Sequence, residues 1–194
     1  MFSYLGPICP ICGGEDCYRE ITPYFRYAIE LFPDVKAERI AIARFLCRSE
    51  RVTFSLLPIQ LIPYFQYTVN AVIGALLLGL GWWQMGQRGF YGASIDVDPD
   101  SDVTPWLIVC WLKMIVRGFR RAHAVLRRFY DLSGIRTNQG TVPWKEVEGY
   151  FLAFGLKLDV PWPPLLFGLS DRYSRQTRLF LFGIPSQHRL SRCP

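Results

Sequence analysis

Histidine is nearly missing from this chain of 194 residues, which has two, His123 and His188. Neither has the serine or cysteine partner arrangement that nucleophilic catalysis needs. There is no Walker loop and no G-x-G-x-x-G, so no motif marks a nucleotide cradle. Internal repeats are absent too. The opening residues, MFSYLGPICPICG, lack the basic region and long apolar core of a secretory signal. The six cysteines, at positions 9, 12, 17, 47, 110 and 193, are therefore expected in a reducing cytoplasm, where thiols serve metals more often than disulfides.

Charge is missing from Val52 to Gln87, a run of 36 residues, and TVNAVIGALLLGLGWW within it has the look of a membrane span. Its strongly apolar part, Ala71–Trp83, has only 13 residues, short of the roughly 20 that cross a bilayer. Pro58 and Pro63 prevent a regular helix from extending upstream. A buried core helix over Tyr67–Trp83 is the expectation. Membrane association through the apolar 71–83 segment is the alternative, with Trp82 and Trp83 as an interfacial pair.

The most informative absence is acid. None of the 16 Asp and Glu residues lies in Thr104–Tyr130, and six of the 22 Lys and Arg do: Lys113, Arg117, Arg120, Arg121, Arg127 and Arg128. Outside that stretch the charges cancel, so it accounts for the whole net charge of +6. Thr104 can cap a helix there, Pro105 suits its first turn, and Asp102 suits its positive end. At about 100° per residue the six cations share an arc of roughly 120°, and Ile108, Trp111, Leu112, Ile115, Phe119, Ala122, Leu126 and Phe129 gather opposite. A mixed-sign solvated face is the ordinary form of such a helix, and an acid-free one fits phosphate better. These six residues are the candidate DNA contacts. Arginine outnumbers lysine 18 to 4, which suits bidentate phosphate bonding; a GC-rich genome would give the same bias.

Cys9-Pro-Ile-Cys12-Gly13-Gly14 is a knuckle in which two thiolates chelate one tetrahedral ion. A second pair is expected near Cys47, but Glu50 stands where its second cysteine would be. Cys17 is the substitute, so the expected set is Cys9, Cys12, Cys17 and Cys47, holding one structural Zn2+ per chain. A metal-free ribbon and a redox pair are the competing readings, and no thioredoxin-like context supports the second. Asp96, Asp98, Asp100 and Asp102 alternate as in a calcium loop, but Ser101 replaces the sixth-position glycine and Leu107 the closing glutamate. Asp96, Asp131 and Glu146 could be nominated for a metal-dependent nuclease or recombinase, without a strand pattern around them. No catalytic constellation emerges, and no enzyme is expected.

CPICGGEDC, then ARFLCRSERVTFSLLPIQLIPYFQYTV, then RLFLFGIPSQHR, in that order, resemble short bacterial transposase-associated proteins. These join an N-terminal zinc ribbon to a helix-turn-helix-like region. The block Thr53-Phe54-Ser55-Leu56-Leu57-Pro58 carries most of the likeness. It implies binding to DNA, at mobile-element ends, by an accessory or remnant protein, with a homo-oligomer or a partner transposase as company. The chain is too short for a ribbon plus a full nuclease fold. The resulting expectation is a mainly α protein with a small β zinc ribbon. Residues 1–58 form the ribbon-like head, 59–156 a helical DNA-binding region, and 157–194 an irregular tail.

Overall fold

The structure, a computed structural model, describes residues 6–97, 102–135 and 142–183. They form two compact units: one of residues up to Ala28 together with Glu38–Pro58, the other of Ile29–Ala37 and everything from Ile59 onward. The fold is mixed α/β, with five helices and a three-stranded antiparallel sheet, and so less dominated by helix than expected.

Strands β1 (Tyr18–Glu30), β2 (Lys36–Cys47) and β3 (Val52–Leu56) lie in the order β1-β2-β3, and all but the end of β1 and the start of β2 belong to the first unit. Ala43, Phe45 and Cys47 are buried at alternate positions of β2, because successive side chains of a strand point to opposite faces. The register sets Phe45 opposite Phe54 and Cys47 opposite Val52. Phe45 and Phe54 stack at 5.4 Å, and Tyr18 meets both edge-on at 5.8 and 6.0 Å. Of this aromatic trio only Phe45 is buried, alongside Ile42, Ala43 and the cysteines Cys9 and Cys47.

The second unit holds α1 (Val69–Gln84), α2 (Gly89–Val97), α3 (Pro105–Leu126), α4 (Pro143–Phe154) and α5 (Trp162–Thr177). The apolar run is α1, buried over most of its length from Val69 to Leu80. Among the described residues no helix is long and apolar enough to cross a membrane. Thr68 caps α1 by accepting from the Ala71 N–H at 3.0 Å. Its hydroxyl also donates to Glu30 at 2.9 Å, and the Asn70 amide donates to the same carboxylate at 2.8 Å. A carboxylate is favoured there by the positive end of the helix.

The segment expected to be an irregular tail contains α5. Pro163 and Pro164 sit in the first turn of α5, where a missing N–H removes no helical bond. Asp98 and Asp100 of the calcium-loop pattern lie outside the described residues, as do His188 and Cys193. Asp96 accepts from the Trp82 indole N–H at 2.6 Å.

Three glycines let aromatic rings reach helix backbones. A Cβ at Gly74 would lie 2.4 Å from the Phe32 ring, and one at Gly79 would lie 2.3 Å from Phe90. At Gly118 of α3 it would lie 2.7 Å from the Leu181 carbonyl oxygen and 2.8 Å from the Phe182 ring. A carbonyl cannot rotate away as a side-chain end can. Gly118→Ala should therefore be destabilising even though alanine favours helix by up to about 1 kcal/mol, since overpacking costs about 1–3 kcal/mol. The expected fall in Tm is about 2–6 °C in a thermal melt. A variant as stable as the parent would mean that residues 181–182 are not held against α3.

Candidate metal centre and cationic surface

The four cysteines come from three places in the sheet unit. Cys9 and Cys12 lie on a tight loop closed by the Ile8–Glu15 bridge. The Cys9 N–H donates to the Gly14 carbonyl and the Gly13 N–H to the Cys9 carbonyl, both at 2.9 Å. Gly13 has φ +73°, a conformation that costs glycine least. Cys17 immediately precedes β1, and Cys47 ends β2. The Arg48 N–H donates to the Cys17 carbonyl at 2.8 Å, tying the two strand ends together. Cys9 and Cys47 are fully buried, Cys17 is half-buried and Cys12 is exposed.

The four sulfur atoms lie within 4.8 Å of one another. A tetrahedral ion with metal–sulfur bonds of about 2.3 Å sets its sulfurs about 3.8 Å apart. Cys17 and Cys47 stand at 4.0 Å and Cys12 and Cys17 at 3.0 Å, all four being free thiols. The donor set therefore fits one metal ion with only small movements. Among the described residues these four cysteines form the one such group, and Glu50 is not a member. Glu50 contributes through its backbone, whose N–H donates to the Cys47 sulfur at 3.4 Å.

Crowding separates the thiols in acidity. The close Cys17 thiol, with the Gly14 backbone N–H, brings Cys12 down to about 7. Cys17, beside the Cys12 sulfur and partly desolvated, is pushed up to about 12. At Cys47 the Glu50 N–H acts downward, but burial and the Cys12 and Cys9 thiols together raise it. Ligand sulfurs must be deprotonated, so a metal ion that binds here releases protons.

The six expected DNA contacts divide into two groups. Lys113, Arg117, Arg127 and Arg128 are exposed, the last also donating to the Gln176 side-chain carbonyl at 3.4 Å. Arg120 and Arg121 are half-buried, and their guanidiniums bond within the fold. The Arg120 guanidinium donates from Nε to both oxygens of Glu146, at 2.8 and 3.0 Å, and from Nη2 to one of them. The Glu146 side chain is fully buried, so the pair neutralises a carboxylate that water cannot reach. The bond raises Arg120 above the usual guanidinium range. Arg121 donates to the carbonyls of Phe180 and Leu181 at 3.0 and 2.9 Å.

What α3 exposes is a narrow line of Trp106, Lys113, Arg117 and Ala124, continued past its end by Arg127 and Arg128. Trp106 is 73% exposed. The rest of the helix packs against α1, α2, α4 and α5. Phe129, expected on the buried face, lies beyond the helix end and is 41% exposed, with the Arg172 guanidinium 5.4 Å from its ring centre. Neither Phe129 nor Arg172 was among the expected contacts; the arginine-rich stretch after Ser170 was the available signal.

The chain matches no family model, no curated protein and no solved structure.

The carboxylates nominated for nuclease chemistry are each engaged separately. Asp96 bonds Trp82, Glu146 bonds Arg120, and Asp131 accepts from the Ser133 hydroxyl and N–H at 2.6 and 3.0 Å. His123 shares a 2.9 Å bond with the Tyr150 hydroxyl.

Two outcomes are expected. In zinc titrations against a chromophoric chelator, affinity should rise with pH between 6 and 8, because Cys17 and Cys47 give up protons on binding. Cys17→Ser should weaken binding at least about 100-fold, beyond the range of outer-sphere changes, and Glu50→Gln less than about tenfold. Equal losses would make Glu50 a ligand. In denaturant unfolding, Arg120→Ala should cost about 3 kcal/mol by leaving a buried charge unpaired, and Arg120→Ala/Glu146→Leu should recover part of it. A single variant as stable as the parent would mean that Glu146 is solvated.

Proposed function

We propose that this is a DNA-binding protein in which a zinc ribbon is a structural module and α3 supplies the electrostatic affinity. The observation that carries the reading is the exposed, acid-free line Lys113–Arg117–Arg127–Arg128. A set of fixed cations with no interspersed acid attracts a polyanion, and each phosphate neutralised releases condensed counterions. Zinc is the ion favoured for four thiolates in a small sheet unit, since tetrahedral sulfur sites suit it and nothing near the cluster supplies a general base.

The mode of contact follows from the packing of α3. A recognition helix needs its flanks free, because the major groove is about 12 Å wide and a helix with side chains nearly fills it. With α1, α2, α4 and α5 all packed on it, α3 offers an edge rather than a free cylinder. That edge suits the phosphate backbone, which fixes position without reading sequence. The likeness of the CPICGGEDC head and the TFSLLP block to transposase-associated proteins supports mobile-element DNA as the partner.

The test is duplex affinity of the full chain across a salt series. Replacing Lys113, Arg117 and Arg128 together with alanine should weaken binding and lower the slope of log K against log salt by about 2–3, at roughly 0.9 per phosphate contact. An unchanged slope would remove α3 from the interface.

A further inference from the structure

The end of α3 and the last turns of α5 bring together more positive charge than the helix alone. Arg127 and Arg128 follow α3, and Arg172, Arg175 and Arg178 lie on α5 and its cap; all five are exposed. The Arg128–Gln176 bond and the contacts of Arg172 with Phe129 and Tyr130, at 5.4 and 5.6 Å, place the two groups side by side. The nearby acids are already engaged. Asp171 pairs with Arg175 at 2.7 Å, and Asp131 takes both bonds from Ser133. Even with both counted, the cluster keeps an excess of three positive charges.

Beside Arg128 and Arg172 is an exposed aromatic ring. Phe129 is held by the backbone bond from its N–H to the Leu126 carbonyl at 2.9 Å, and Arg172 covers one side of it. A core aromatic would be buried, as Phe119 and Phe154 are. A ring left open among guanidiniums has the two features that unpaired nucleotides use, a π surface for the base and cations for its phosphates. A paired base offers its neighbours, not its face, so duplex DNA has no use for Phe129.

We infer that Phe129 with Arg127, Arg128 and Arg172 forms a seat for an unpaired nucleotide of single-stranded nucleic acid. This rests on the nucleic-acid reading above and adds a strand preference to it. The Lys113–Arg117 line would track phosphates in either form of the polymer, and Phe129 would engage only where a base is unstacked.

The experiment compares binding of the full chain to a labelled oligothymidylate and to a labelled duplex at fixed salt. Phe129→Ala should lower single-strand affinity by about tenfold and leave duplex affinity within about twofold. Phe129→Trp should restore or exceed parental single-strand binding, and a far-ultraviolet spectrum identical to the parent's would show that the fold is intact. Arg172→Gln should weaken single-strand binding as well. A parent chain that binds duplex but not oligothymidylate overturns the seat and leaves the α3 reading standing. So does a Phe129→Ala variant that binds the single strand as well as the parent. A parent that binds neither polymer overturns both, and equal losses on both polymers would make the cluster a general phosphate surface with no seat.

Discussion

Phe119 is fully buried at the middle of α3, and its ring meets those of Tyr150, Phe151, Phe154 and Phe182 at 4.8, 6.3, 5.3 and 5.2 Å. One side chain thus joins α3 to α4 and to the segment after α5. Aromatic pairs in offset or edge-to-face geometry contribute about 0.5–1.5 kcal/mol each beyond the area they bury. The neighbouring Gly118 lets Leu181 and Phe182 come against the helix backbone, so the contact around Phe119 closes on that side too. The placement of α3, and with it every cation it carries, depends on this aromatic cluster.

That placement decides which charges are free. Turning Phe119 inward carries Arg120 toward α4, where Glu146 is buried, and Arg121 toward the carbonyls of residues 180 and 181. An unpaired carboxylate in that position would be far more costly than the ion pair that forms. Both arginines therefore act within the fold. The exposed residues of α3 point away from Phe119, at steps of four and seven along the helix: Trp106, Lys113, Arg117 and Ala124, with Arg127 and Arg128 past its end. A line one residue wide is suited to a backbone of phosphates and poorly suited to reading base edges, which takes several side chains side by side.

The gathering of the cysteines was legible in part from spacing, because Cys9 and Cys12 are close in the chain and Cys47 is placed by the strand that ends there. Substituting Cys17 for the residue at position 50 followed from ligand chemistry, and the four sulfurs lie together. The inward turn of Arg120 was not legible. Its partner is 26 residues away on another helix, and no periodicity within α3 distinguishes it from Arg117. α5 was missed for a local reason: Trp162-Pro163-Pro164 reads as a breaker unless the prolines are placed in a first turn, where they are tolerated. α2 carries three of its nine residues as glycine or serine, and its helix is sustained by packing on α1 rather than by propensity. The burial of α1 on nearly all sides is what makes its sequence look like a membrane span.

The two units draw on different sources of stability. The sheet unit has a core of little more than Ile42, Ala43, Phe45 and the two buried cysteines, and units of that size usually need a metal or disulfides to fold. Its cysteines are free thiols, and gathering four of them without an ion means keeping polar, crowded sulfurs close together, as the raised Cys17 and Cys47 show. A bound ion turns that crowding into cross-links. The helical unit has a continuous apolar core from Leu31 to Phe182 and needs no such device. The cationic line and the Phe129 cluster both belong to the helical unit. A bound ion would therefore act on the stability of the sheet unit and leave the core of the helical unit unchanged.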